Sequence, residues 1–410
     1  MSKVRIDPGL RPTLAADPAA FIRAAFEGAA LAPMIQERLQ GLSGGPGDCA
    51  PLLELGLLFQ LAGERERALQ CRALALDGCR LYRHPAPDPP SLRVLALVTA
   101  GDLMANTPFE LMIEGRGMEV AKLYLDAGQA LPEAVPEHDV AIMAIGESDE
   151  SRPLLEQLSG IESYWPRPML NRAGPVLELA RDRLYLGLED APGVLIPPTV
   201  RIPRGELLHP SEGGALRRLF QPGGGSIIIR PVGSHAGKAL SRIHDDAALA
   251  VYLADEEAEV FYVSPFVDYA GADGLYRKYR IALFDGRPFL CHMAVSEHWM
   301  VHYLNAGMAE SEAKRAQEQR AMEGFDDGLA SRHAQAFQSL HDRIGLDDFA
   351  IDCAETRDGR LLIFEADVAM IIHALDSEAL YPYKKRQMLK VFDAFEALLR
   401  TRLNAAPEQA

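Results

Sequence analysis

The sequence predicts a mixed α/β and α+β chain: a helical opening, a small parallel α/β domain, then two α+β subdomains. Three observations point there. Residues 17–77 carry Ala, Phe and Leu at helical spacing. Leu92–Thr99 (LRVLALVT) is a continuous apolar run, the pattern of a strand buried on both faces. Residues 349–373 hold two apolar-rich runs around Asp358-Gly359, the signature of a β-hairpin. At ~100–200 residues per domain, 410 residues leave room for two or three domains.

Residues 1–90 are expected to be helical. Asp17-Pro18 is a helix start, with Phe21, Ala25, Ala29 and Leu31 recurring behind it. The run SGGPGD at 43–48 breaks the chain. Leu55, Gly56, Phe59, Gly63, Ala68 and Ala75 then follow tetratricopeptide-like spacing, whose small residues let two antiparallel helices approach closely. Only one copy is evident, and such arrays need about three to stand alone. The segment therefore reads as an appendage or a docking surface for a protein or peptide, with a plain helical hairpin as the competing reading.

The run HPAPDPP at 84–90 is a linker by composition. Strands at Leu92–Thr99, Ala121–Asp126 and Asp139–Ile145 alternate with helical stretches, which suggests a parallel α/β domain over 91–190. The loop 101–108 after its first strand is a candidate substrate contact, because ligands of open α/β sheets gather at the carboxyl ends of strands. A Gly-x-Gly-x-x-Gly fingerprint is absent there. Past Pro197-Pro198-Thr199 the pattern becomes α+β. Strands are expected at 226–230, 260–263 and 280–284, with an Asp285-Gly286 turn returning at 288–295. Helices are expected at 310–323, 332–343 and 384–399.

A net charge of −16 argues against nucleic-acid binding, which needs clustered Lys and Arg. No apolar run approaches the ~20 residues of a membrane span. The opening MSKVRIDPGLRP lacks the apolar core of a signal peptide. Five scattered cysteines without a CxxC read as reduced thiols. The expected location is cytoplasmic.

The chemistry centres on the hairpin at 349–373. If Asp358-Gly359 is its whole loop, Asp352 lies directly opposite Glu365, and Asp367 shares their face. A loop one residue longer, with a bulge, would break that pairing. Three carboxylates this close repel unless a cation neutralises them, and a hard divalent ion suits oxygen ligands. A solvated acidic surface hairpin is the competing reading. Three other stretches bear on the choice. Residues 223–238 run from a Gly triplet through a strand into a Gly/Ser loop, with Arg230 and Lys238 as full charges suited to an anion. Residues 260–268 form a strand leading through Pro265 into an extended link. In YRKYR at 276–280, alternation puts Tyr276, Lys278 and Arg280 on one face. The run SEHWMVHYLN at 296–305 is dense in polar rings and amides, and is read as substrate contact rather than as a His298–His302 metal pair.

These pieces, in this order, resemble the ATP-grasp superfamily, most like its glutathione synthetase and ribosomal-protein glutamyl ligase branches. The resemblance covers about 92–400 and is firmest over 226–373. It implies an α/β domain before the grasp (91–190), a small subdomain with a glycine-rich flap (191–268) and a large subdomain with the metal site (269–405). By it, Asp352, Glu365 and Asp367 are the metal ligands, Asp367 standing where Asn is usual. The flap matches Gly233 to Lys238, including Ser234, His235 and Lys238. The adenine-binding hinge matches Tyr262 to Val267, with Val263 and Phe266, and Asp268 beyond it as a ribose partner. The two usual ATP-contacting lysines fall at Arg183 and Arg230. Arg280, which shares a strand face with Lys278, matches an arginine near the phosphates, and Asn305 matches a metal- or phosphate-proximal asparagine. The usual Asn-Pro is replaced by Val368-Ala369-Met370. The implied activity is an ATP- and Mg²⁺-dependent carboxylate–amine ligase (Mn²⁺ as the alternative metal) working through an acyl-phosphate on an amino acid or peptide. Its expected partners are those substrates, a protein or peptide on residues 1–90, and a second copy of the chain. A catalytically decayed ATP-binding scaffold is the alternative.

Overall fold

In the computed structural model, residues 4–208, 225–234 and 237–404 are described. The architecture is mixed α/β, with several sheets. The chain divides into two units, one of residues 1–177, 346–349 and 367–410, the other of 178–345 and 350–366.

The first unit opens with helix Pro18–Phe26. Asp17 accepts a hydrogen bond from Ala19 N–H (3.0 Å) and Pro18 sits in the first turn, so the expected start signal is used. Helices Cys49–Leu61 and Arg65–Gly78 form a hairpin. Leu55, Phe59 and Ala68 make its buried seam, with Ile35 and Leu42 packed against it. The six-stranded sheet has the order Thr13–Leu14, Leu81–Arg83, Met118–Leu125, Leu92–Thr99, Val140–Met143 and Met169–Leu170. Its three central strands are parallel, as the apolar run at Leu92–Thr99 and the alternation of strands with helical stretches predict. Leu95 and Leu97 are fully buried at its centre. Helix Lys384–Asn404 belongs to this unit, and its Phe395 ring meets Phe109 at 6.4 Å.

The second unit holds two sheets. The four-stranded one has the order Val200–Pro203, Val260–Pro265, Ile227–Pro231 and Ser241–Ile243, all antiparallel. Ile202, Ile227, Ile229, Phe261 and Val263 form its core together with Leu249 and Leu253 of helix Asp246–Asp255. The five-stranded sheet has the order Arg287–Ser296, Tyr276–Phe284, Asp348–Glu355, Leu361–Asp367 and Val194–Leu195. The Asp285-Gly286 turn pairs Phe284 with Arg287, as expected from its sequence.

Candidate active site

Strand Tyr276–Phe284 alternates, so Lys278 and Arg280 leave it on one face. Both reach Asp352. Lys278 Nζ lies 2.8 Å from Asp352 Oδ2, Arg280 Nε 2.8 Å from Oδ1, and Arg280 Nη2 3.1 Å from Oδ2. The Asp352 side chain is only 2% exposed. Burial alone would raise its pKa, but Arg280 and Lys278 outweigh burial and hold the carboxyl well below the usual range.

Glu365 is gripped from a different element. Helix Arg181–Leu188 begins at Arg181, which pairs with the Glu365 carboxylate and donates from Nη1 to Phe364 O at 2.8 Å. Burial pushes the Glu365 pKa up, and Arg181 pulls it below the ordinary value, helped by Arg230 and Lys278. Arg230 is buried on strand Ile227–Pro231 and donates from Nε to Ser234 Oγ (3.1 Å) and from Nη2 to the Ser234 carbonyl. Burial, then the neighbouring Arg181 charge, brings the Arg230 pKa down to about 10.

The hairpin turn differs from the two-residue expectation. Thr356 N–H donates to Arg360 O (3.0 Å) and Gly359 N–H to Thr356 O (2.9 Å), with Gly359 at φ +80°. The loop is therefore Arg357-Asp358-Gly359, one residue longer. Thr356 is the cause: its Oγ1 accepts the Arg360 N–H at 3.0 Å and donates to Asp358. The direct opposition of Asp352 and Glu365 consequently does not follow from the turn. The two carboxylates still share one electrostatic neighbourhood. Asp352 acts on Glu365, and Arg280 and Lys278 act on both.

Asp367 stands two residues beyond Glu365 on the same strand, and its Oδ1 accepts the Ala369 N–H at 3.0 Å. The donor set of Asp352, Glu365 and Asp367 is all carboxylate oxygen, which fits a hard divalent cation. Yet among the described residues no three His, Cys, Asp or Glu side chains converge as a metal centre. The physical reason is that Asp352 and Glu365 are turned onto Lys278, Arg280 and Arg181.

The other expected residues are distributed as follows. Arg183 pairs with Glu178 at 2.9 Å, and Arg181, two positions earlier, takes the place beside Glu365. The run Arg181-Asp182-Arg183 does not itself separate these two arginines; the start of the helix at Arg181 does. Lys238 is exposed and has no ion pair among the described residues, while His235 lies outside them. The Tyr262 hydroxyl accepts from Arg201 Nη2 at 2.8 Å, and the Arg201 guanidinium stacks on the Tyr262 ring. Val263 is a fully buried core residue paired with Val200 and Ile229, so the extended link begins only after Pro265. Phe266 lies under the Arg242 guanidinium (3.6 Å) and edge-on to Trp299 (5.7 Å). Asp268 is exposed and accepts from Ala270 N–H at 3.1 Å. Asn305 is exposed in the turn Tyr303–Asn305, with no side-chain partner among the described residues. His298 and His302 share no helix. Burial, then Lys278 and Arg280, lower the His302 pKa, so its ring does feel the charged cluster.

No protein-family model and no curated relative matches the chain. Solved structures do. The chain is similar to the RimK domain protein ATP-grasp from Sphaerobacter thermophilus DSM 20745, at 17% identity over 73% of this chain and 98% of that one, TM-score 0.41. It is similar to the D-alanine–D-alanine ligase from Bacillus anthracis complexed with ATP, at 14% identity over 77% of this chain and 100% of that one, TM-score 0.43. It is also similar to the VanG D-Ala:D-Ser ligase from Enterococcus faecalis, at 13% identity over 75% of this chain and 99% of that one, TM-score 0.45.

Proposed function

We propose that this chain is an ATP-dependent carboxylate–amine ligase of the ATP-grasp kind, acting on an amino acid or peptide through an acyl-phosphate. One observation carries the reading. Four cations, Lys278, Arg280, Arg181 and Arg230, act on two carboxylates, Asp352 and Glu365. A purely structural cluster needs one cation per carboxylate, because buried charge that is not neutralised is costly. The surplus of positive charge suits the oxygens of a polyphosphate.

Asp352, Glu365 and Asp367 would hold Mg²⁺, or Mn²⁺ in its place. Such an ion, when bound, supplies further charge neutralisation at the phosphate oxygens. The protein's own part is positioning. Arg280 and Arg230 have their guanidinium forks fixed on Asp352 and on Ser234, so their charges would be held in place beside a bound phosphate. Lys278 and Arg181 can exchange a carboxylate for a phosphate oxygen at little cost, since both partners are anions. The substrate carboxylate would then take the γ-phosphoryl group as ADP leaves with the electron pair of the broken P–O bond; an amine attacks the acyl carbon, inorganic phosphate leaves with the C–O electron pair, and the amine's proton passes to solvent. No protein nucleophile is required. Cys353, beside Asp352, is fully buried, and burial, then the Asp352 charge, pushes its thiol pKa well up, so it stays protonated.

The test is a screen of amino acids and peptides for divalent-metal-dependent ADP release, with mass spectrometry of the products. The double variant Asp352→Asn, Glu365→Gln should lose ADP release while circular dichroism shows a folded chain. Identical turnover in that variant, or no ATP binding by the wild type with Mg²⁺, defeats the proposal. The second reading, an ATP-binding scaffold without turnover, is favoured by the engagement of both carboxylates in ion pairs. It predicts ATP binding with no condensed product for any acid and amine.

A further inference from the structure

The acid hairpin has the composition of a cation site, and the ion pairs around it give it the opposite character. Asp352 carries two cations at once, Lys278 Nζ at 2.8 Å from Oδ2 and the Arg280 fork at 2.8 and 3.1 Å. Glu365 carries Arg181. Arg230 acts in the same field, and both of its donated bonds end on neutral oxygens of Ser234. Four cations thus face two carboxylates, which leaves two positive charges over. Even with Asp367, the third acid of the hairpin, one positive charge remains.

Neighbouring titratable groups leave that surplus standing. Burial, then Lys278 and Arg280, hold the His302 pKa below its ordinary value, so its ring is neutral at neutral pH. Burial keeps the Cys353 thiol protonated, and it pushes the Tyr252 phenol up to about 12.

A divalent cation entering this field meets net repulsion. To reach Asp352 it must also displace Lys278 or Arg280, whose side chains are only 16% and 20% exposed. The displaced side chain would be a largely buried charge without an anion, which is costly. A polyphosphate meets the reverse balance. Its oxygens are attracted by the surplus, and they offer Lys278 and Arg181 a new anion in exchange for the old one. A carboxylate released beside phosphate oxygens then has the all-oxygen character that suits a hard cation.

We propose that the unliganded cluster is an anion site that takes a nucleoside polyphosphate free of metal, and that it admits a divalent cation only after the phosphate oxygens have drawn Lys278 and Arg181 off their carboxylates. The inference rests on the reading of this cluster as the nucleotide site, and it adds the order in which that site is assembled. Lys278 and Arg181 act as internal stand-ins for the metal until the phosphate arrives. By linkage, nucleotide and metal then raise each other's affinity by the same factor.

The experiment uses the full chain with two probes taken separately. One is ATP in excess EDTA, read by calorimetric titration. The other is Mn²⁺ without nucleotide, read by the loss of its free paramagnetic resonance signal. Metal-free ATP should bind saturably. The wild type should bind no more Mn²⁺ than the double variant Asp352→Asn, Glu365→Gln, whose binding measures the rest of the surface. That variant, with its cations released, should bind metal-free ATP severalfold more tightly than the wild type. Lys278→Met should weaken metal-free ATP binding about 10- to 100-fold, and it keeps the test open if the double variant does not fold. If neither metal-free ATP nor Mg–ATP binds the wild type, the ligase reading fails and this inference with it. The order of assembly alone is overturned by any of four results: Mg–ATP binds and metal-free ATP does not, the wild type binds one Mn²⁺ more than the double variant, the double variant binds metal-free ATP no more tightly than the wild type, or Lys278→Met binds it as the wild type does.

Discussion

Arg280 holds Asp352 with a two-point fork, Nε to Oδ1 at 2.8 Å and Nη2 to Oδ2 at 3.1 Å, and Lys278 closes on the same Oδ2 at 2.8 Å. The carboxylate is almost fully enclosed. Removing one side of a buried pair leaves an uncompensated charge. Asp352→Ala should therefore cost ~3–5 kcal/mol in denaturant unfolding. Asp352→Ala combined with Arg280→Ala should cost less than the sum of the two, because the second change removes a cation the first left stranded. Additive losses in the double-mutant cycle would show that the fork contributes no coupling.

Arg181 and Arg183 offer a sharper comparison, since they differ by two positions and have the same chemistry. Arg181 pairs with Glu365 in the charged cluster, whereas Arg183 meets Glu178 at a side-chain exposure of 46%. If the cluster binds ATP, Arg181→Met should raise the Kd for ATP about 10- to 100-fold, the range expected for a charge-assisted hydrogen bond of ~1.5–3 kcal/mol. Arg183→Met removes a surface pair worth ~0–1 kcal/mol and should leave ATP binding nearly unchanged. Equal effects in a binding titration would remove Arg181 from the site.

The contrast between those two arginines shows what sequence can resolve. Strand Leu92–Thr99 was legible to its ends, because a strand buried on both faces must be apolar throughout. Lys278 and Arg280 were legible as a pair, because alternation alone puts them on one face. Arg181 was not, because choosing it over Arg183 requires the rotation of a short helix, which an Arg-Asp-Arg run leaves undefined. The hairpin register was not, because a single Thr356 hydroxyl chose the three-residue loop. The grouping of helix Lys384–Asn404 with the first unit was also hidden, since amphipathic spacing names an apolar face but not its partner.

Asp348 sets a pH dependence. It is 4% exposed, its Oδ2 is buried with no hydrogen bond among the described residues, and burial, then Asp347, pushes its pKa up to about 7. The unfolded value is ~3.9. Between those two values the folded chain keeps a proton that the unfolded chain has lost. This group's contribution to stability is therefore complete below about pH 4, declines as pH rises, and is lost above about pH 7, with a slope near 1.4 kcal/mol per pH unit. Asp348→Asn removes the titration. Its unfolding midpoint should exceed that of the wild type at pH 8 by more than it does at pH 5. A gap that does not change with pH would show that Asp348 is ionised throughout.

Gly56 tests how closely the N-terminal hairpin must pack. A Cβ at this position would meet the Ala68 carbonyl at 3.2 Å and the Arg72 Cβ and backbone N at 3.4 Å. The atoms in the way are mostly backbone of the facing helix, so they yield only if the helix moves. Gly56→Ala faces two opposed effects. Alanine favours a helix by ~1 kcal/mol over glycine, and the crowding at 3.2 Å works against it. The net change should be small. Gly56→Leu adds three further carbons at the same seam and should destabilise by ~1–3 kcal/mol through overpacking. Thermal unfolding of the two variants separates the effects. A Gly56→Leu chain as stable as the wild type would show that the two helices can separate at this seam without cost.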